Sequence, residues 1–198
     1  MRPVILTIGR QFGSGGHEIG SAVAKALDLP FYDRDLLRKA AVASGLSEDI
    51  LAAYDEQPTN SFLYSLSMGS TGGSWQLPLG NQAFLAMTEA IRHAADGGSC
   101  VIVGRCAEYV LQDRPDLLRV FIYADLPSRT ARIMEKRDLS EKQAAALIQK
   151  TDKQRAGYHN FYADDKWGAP SSYDLLLSSS ALGIDGCVNL LTHLLKTR

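Results

Sequence analysis

Cysteine is scarce in this chain. There are three, Cys100, Cys106 and Cys187, and no CxxC pair. An odd number without ligand spacing excludes a readable disulfide framework or zinc site. Small buried apolar side chains are the expectation, with Cys100 in a strand and Cys187 on a helix face. The four histidines, His17, His93, His159 and His193, show no ligand spacing either. No apolar run approaches the ~20 residues of a membrane span. The first apolar run, starting at Val4, is too short for a signal peptide. A cytoplasmic setting with no membrane partner is therefore expected. A surplus of one charge is also missing: 21 Lys and Arg stand against 22 Asp and Glu. That argues against a nucleic-acid polymer as partner, which needs a basic surface. What is present is ordinary for a globular protein: 198 residues, 45% hydrophobic and 22% charged. This suits one domain over residues 1–198 with a sizeable core. It says nothing of oligomeric state.

Hydrophobic patterning alternates between two kinds of segment. Val4-Ile5-Leu6-Thr7-Ile8, Cys100-Val101-Ile102-Val103, the run from Arg119 to Ala124, and Asp174-Leu175-Leu176-Leu177 are short and apolar on both faces. They read as strands buried in a parallel sheet. Helical spacing fills the intervals: His17 to Leu27, Asn81 to Ala95, Pro127 to Lys136, and a closing helix through Leu191. Ser140-x-x-Gln143 is a capping box that opens another helix, through Thr151. Strands alternating with helices predict an α/β fold with helices on both faces of a parallel sheet. One segment breaks the alternation. Residues 57–82 are rich in Ser, Gly, Thr and Asn but carry Leu63, Tyr64, Trp75 and Leu77. Long loops are often functional, so a flap near a ligand is expected there, with a passive surface insertion as the alternative.

Four constellations carry chemistry. The first, Gly9-Arg10-Gln11-Phe12-Gly13-Ser14-Gly15-Gly16-His17-Glu18, joins a strand to a helix. Glycines there let backbone N–H groups curl around a phosphate, and the helix N-terminus adds its dipole. The strict pattern GxxxxGK[ST] is not met. With Gly15 on its second glycine, Gly16 falls on the lysine and His17 on the Ser or Thr. A plain glycine turn is the alternative reading. The second is Val103-Gly104-Arg105, which sets an arginine just past a strand's C-terminal end, where open α/β sheets bind ligands. Its planar fork suits a phosphate. The third is a basic stretch that includes Arg129, Arg132, Lys136, Arg137, Lys153 and Arg155. The fourth is Tyr32-Asp33-Arg34-Asp35, with Arg38 one helical turn on. Asp33 there is either a hydrogen-bond acceptor for a ligand or an N-cap.

Taken in order, the segment Ile8 to Gly16, Phe31-Tyr32-Asp33, Val103-Gly104-Arg105 and Asp152-Lys153-Gln154-Arg155, followed by Tyr158, Tyr162 and Trp167-Gly168, resemble the cytidylate kinase-like family. That family is similar to the P-loop nucleoside monophosphate kinases. The resemblance implies a three-layer P-loop kinase fold with five parallel strands and a helical lid at about 128–168. It implies ATP on Arg10, Gly13, Ser14, Gly15, Gly16 and His17. It implies a nucleoside monophosphate, CMP or dCMP, held by Asp33, Arg38 and Arg105. Arg132 and Arg155 fall where lid arginines surround the transferring phosphoryl group. Mg2+ would bridge the phosphates, with Glu18 a candidate ligand. Cys106 stands where cytidylate kinases carry the Asp of Gly-Arg-Asp. The expected activity is an ATP-dependent phosphotransferase. The rival expectation is a nucleotide-binding module without transfer, because the lysine and the Ser or Thr of the loop are absent. A third is an α/β interaction protein whose glycine loop is only a turn.

Overall fold

A computed structural model describes residues 3–54 and 77–197. The strands are β1 (Ile5–Arg10), β2 (Phe31–Tyr32), β3 (Cys100–Val103), β4 (Leu117–Tyr123) and β5 (Leu175–Ser178). They form one sheet in the order β2-β3-β1-β4-β5, with every pairing parallel. The central strand runs two residues past the expected stretch. Gly9 and Arg10 pair with Phe121 and Ile122 of β4, which extends the ladder up to the glycine loop. The helices are α1 (Gly16–Leu27), α2 (Arg34–Ala41), α3 (Glu48–Ala53), α4 (Leu79–Asp96), α5 (Ala107–Val110), α6 (Leu126–Arg137), α7 (Glu141–Tyr162) and α8 (Ser179–Thr197). Residues 57–76 of the expected flap lie outside the described residues. Its last residues, Leu79 to Gln82, belong to α4, which starts after Pro78 rather than at Asn81.

Alternation along β1 assigns the two faces. Leu6 and Ile8 pack with Ile19 and Val23 of α1 and with Cys187, Leu191 and Leu195 of α8. Ile5 packs on the other side with Leu37 of α2, Leu51 of α3 and Ala90 and Ile91 of α4. Three layers result, and all three cysteines are buried and free. A third, smaller core is built by α6 and α7 alone, from Ile133, Ala144 and Ile148. The capping box at Ser140 opens α7. That helix continues eleven residues beyond Thr151, because aromatic contacts fix its far end. Tyr162 stacks on Phe84 of α4 at 3.7 Å, and its hydroxyl donates to Gly80 O at 3.2 Å.

Candidate functional site

The crevice lies where the strand order reverses, at the C-terminal ends of β1 and β3. From β1 the chain turns through Gln11-Phe12-Gly13-Ser14-Gly15 into α1. Gly13 and Gly15 have φ of +83° and +79°, a region that side-chain-bearing residues rarely adopt. The turn is held from within: the Ser14 hydroxyl donates to Gln11 O at 2.9 Å, and the Ser179 hydroxyl donates to Ser14 O at 2.6 Å. Ser14 is thus a buried structural residue. α1 has no side-chain cap at Gly15. Among the described residues, the N–H groups of Gly13, Gly15, Gly16, His17 and Glu18 donate to no protein acceptor. Five such donors at a helix N-terminus suit an anion.

The side chains around this loop depart from several expectations. Arg10 does not reach over the glycines: its Cβ fills the space beside Gly16, and its guanidinium lies against Gly104. His17 turns away from the loop, placing Nε2 3.2 Å from Asp33 Oδ2 and its ring edge-on to Phe31. Asp33 N-caps α2, accepting the Asp35 and Leu36 N–H groups at 3.1 Å. Burial pushes the Asp33 carboxyl up, but the Leu36 N–H, His17 and the Asp35 N–H outweigh it and hold it below its ordinary value. Arg38 points to the acids of its own helix pair, Glu48 at 3.1 Å and Asp35 at 3.5 Å. Glu18 is gripped by Lys136 at 2.9 Å and Arg132 at 3.1 Å. The Lys136 hydrogen bond, with Lys136 and Arg132 charge, lowers its pKa despite some desolvation. Glu18 is thus already paired with two cations, and among the described residues no group of three His, Cys, Asp or Glu side chains could hold a metal.

Two cavities open on the crevice. The larger, about 300 Å³, is lined by Arg10, Arg34, Arg105, Arg137 and Arg155 together with Phe12 and Gln154, among others. Arg34, at the start of α2, takes the place expected for Arg38. Arg105 is fully buried, with φ +62°, and the next residue, Cys106, is also left-handed at +53°. Two successive non-glycine residues in that region are costly, and such strain gathers at functional sites. Arg155 donates from Nη1 to Arg10 O at 3.1 Å. Arg132 reaches the donor side: its Nη1 lies 3.5 Å from where a Gly15 Cβ would stand. Of the expected arginines, Arg10, Arg105 and Arg155 therefore converge on the cleft and Arg132 on the loop.

Pairings not read from the sequence complete the wall. Asp152 of α7 accepts the Phe12 N–H at 2.7 Å through Oδ1, and its Oδ2 pairs with Arg129 of α6 at 2.5 Å. Behind Arg105, Glu108 Oε1 lies 3.1 Å from His159 Nε2 and accepts from the Tyr173 hydroxyl at 3.3 Å, all three residues being buried. Burial, then the Glu108 charge, push the Tyr173 hydroxyl far above the phenol range, so it stays a donor. A Cβ at Gly9 would strike Tyr173 and Phe121, which is why glycine stands there. No pattern in the sequence links Glu108 to His159, which lie 51 positions apart.

This architecture is shared widely among solved structures. An uncharacterized protein from Eubacterium ventriosum is 28% identical with a TM-score of 0.75, over 98% of this chain and 99% of that one. A shikimate kinase from Bacteroides thetaiotaomicron superposes with a TM-score of 0.56 at 14% identity, over 98% and 99% of the two chains. A gluconokinase from Sinorhizobium meliloti gives 0.52 at 15%, over 100% and 97%. The last two show the fold alone, that of P-loop kinases. No curated protein matches significantly. A family model does, from residue 5 in β1 to residue 181 at the start of α8, a span that contains the glycine loop, Arg105 and the whole α6–α7 wall; the chain belongs to the cytidylate kinase-like family.

Proposed function

We propose that the protein is an ATP-dependent phosphotransferase of the nucleoside monophosphate kinase type, with CMP or dCMP as acceptor. The observation that carries this reading is the set of five N–H donors from Gly13 to Glu18, which open beside an arginine-lined cleft. The amides suit the donor phosphates, and the cleft suits an acceptor phosphate. ATP supplies the transferable phosphoryl group when bound. Arg132, beside Gly15, neutralises charge on the donor side. Arg105 and Arg155 hold the acceptor phosphate and orient its oxygen for in-line attack, with Arg10 and Arg34 adding charge at the rim. Transfer of this kind is mostly positioning and charge stabilisation. The Mg2+ expected with ATP would take its ligands from phosphate and water rather than from Glu18.

A second reading is favoured by one feature. Gly16 stands at the lysine position, and its Cβ direction is blocked by the Arg10 side chain. A nucleotide-binding module without transfer would bind ATP and release no ADP. The deciding experiment incubates the purified protein with ATP, Mg2+ and each nucleoside monophosphate in turn and follows ADP, beside calorimetry with ATP alone. ADP formed with CMP or dCMP supports the kinase, binding without ADP supports the module, and no binding overturns both.

A further inference from the structure

Asp152 stands apart from the other carboxylates near the site because it bonds the glycine loop's own backbone. Oδ1 accepts the Phe12 N–H at 2.7 Å, across 140 positions of sequence. Oδ2 pairs with Arg129 at 2.5 Å, and the same Arg129 nitrogen approaches Phe12 O at 3.4 Å. Both backbone polar atoms of Phe12, one on each of two successive peptides, are thus held by an ion pair that ties α6 to α7. The Phe12 side chain is held as well. It packs against the small α6–α7 core, with the guanidinium carbons of Arg137 and Arg155 5.3 and 5.6 Å from its ring centroid. Asp152 and Arg155 are three residues apart and so share a face of α7. The second of them holds Arg10 O, two residues before Phe12.

The location gives this grip a consequence. Phe12 precedes Gly13, the first of the five donors. The peptide that Asp152 captures therefore sets the direction in which the following N–H groups point. A loop with two positive-φ glycines has many other conformations open to it. Asp152 accepts from none of the five donors: it takes the Phe12 N–H and pairs with Arg129. We infer that Asp152 is a positioning residue for the donor site. It fixes the glycine loop in its anion-binding shape by clasping Phe12, and it does so from the helix that also carries Arg155. The consequence for ATP rests on the phosphate-binding reading of the loop; the clasp itself does not.

The test reads both. Hydrogen bonds to a charged group are worth enough that losing one costs roughly tenfold or more. In the ligand-free protein, Asp152→Ala should speed amide exchange at Gln11, Phe12 and Ser14, whose N–H groups are bonded, at least about tenfold and leave β3 unchanged. In calorimetry it should weaken ATP at least about tenfold, whereas kcat at saturating ATP and the KM for the acceptor change less than about threefold. Asp152→Asn keeps an oxygen for the Phe12 N–H but loses the ion pair, so both effects should shrink to roughly threefold. Exchange at Gln11, Phe12 and Ser14 that matches wild type overturns the clasp. So does exchange that rises equally in β3, which would mark general destabilisation. If Asp152→Ala does not fold, Asp152→Asn decides alone, and wild-type exchange in it overturns the proposal. A wild-type protein that fails to bind ATP sinks the ATP reading instead, and the exchange result still judges Asp152.

Discussion

Gly15 answers to two demands that a pair of substitutions can separate. Its φ of +79° is one; an L-residue there costs about 1–2 kcal/mol. The second is space, because a Cβ would fall on the Cδ1 of Ile184. Overpacking of that kind costs about 1–3 kcal/mol. Gly15→Ala should therefore lose about 2–5 kcal/mol, a large share of a domain's 5–15 kcal/mol. Ile184→Val removes the offending Cδ1 and should cost about 0.5–1.5 kcal/mol by itself. If the contact is real, the two changes are not additive, and the double variant is no less stable than Gly15→Ala. Urea unfolding of the four proteins reads this directly. Additivity to within about 0.5 kcal/mol refutes the contact. Calorimetry with ATP on the same proteins separates packing from ligand approach. On the proposed reading the double variant should regain stability but not ATP affinity, because an alanine at Gly15 still strains the positive-φ backbone that aims the loop's N–H donors. Recovery of both would make Gly15 a packing residue only.

Other perturbations follow from the same geometry. Arg155→Ala should lower kcat at least about 10²-fold with ATP affinity changed less than tenfold, and Arg155→Lys should recover part of it, as a point charge cannot bridge two groups. Near-normal turnover in both Arg155→Ala and Arg132→Ala removes these arginines from the chemistry. Glu108→Ala strips the buried His159 and the Tyr173 hydroxyl of a shared partner and should cost about 1–3 kcal/mol in urea unfolding; a loss below about 0.5 kcal/mol argues against the contact. Glu18, hydrogen-bonded by Lys136, and Asp33, where its hydrogen bonds outweigh burial, both sit below their ordinary values of 4.5 and 3.8. A depressed folded pKa gives stability that is full above the unfolded value and lost as pH falls through the folded one. Melting temperature should therefore drop below about pH 4.5, and Glu18→Gln should flatten the upper part of that drop.

Periodicity made the sheet legible. Strands apolar on both faces and helices with one apolar stripe need no tertiary information to be read, and β1, β3, β4 and β5 all came from such runs. β2 did not, because two residues, Phe31 and Tyr32, are too few to show a period. The glycine loop and Arg105 were legible for a related reason, as both follow directly on strand ends. Side-chain direction was not legible. Nothing local in the sequence shows that Arg10 bends to Gly104 or that Arg38 turns to Glu48. Glu18 lies where a metal ligand was sought, but Lys136 reaches it from 118 positions away. Partners such as Asp152 for Phe12 and His159 for Glu108 exist only once α7 is laid across the sheet. A single sequence holds no local trace of them.

The strand order also governs when the protein can begin to exist as a structure. Each of the four ladders includes β3 or β4. β1 is made first but pairs with Cys100 and Leu117, and β2 waits for Val101. A nascent chain that has not yet emitted Cys100 has none of the pairings of the described sheet, and β1 still awaits both its neighbours. Pairings this distant in sequence close large loops and form slowly. The stretch from Cys100 to Tyr123 therefore acts as the keystone of biosynthesis: everything before it is held in suspense, and β5 afterwards needs only to dock on β4.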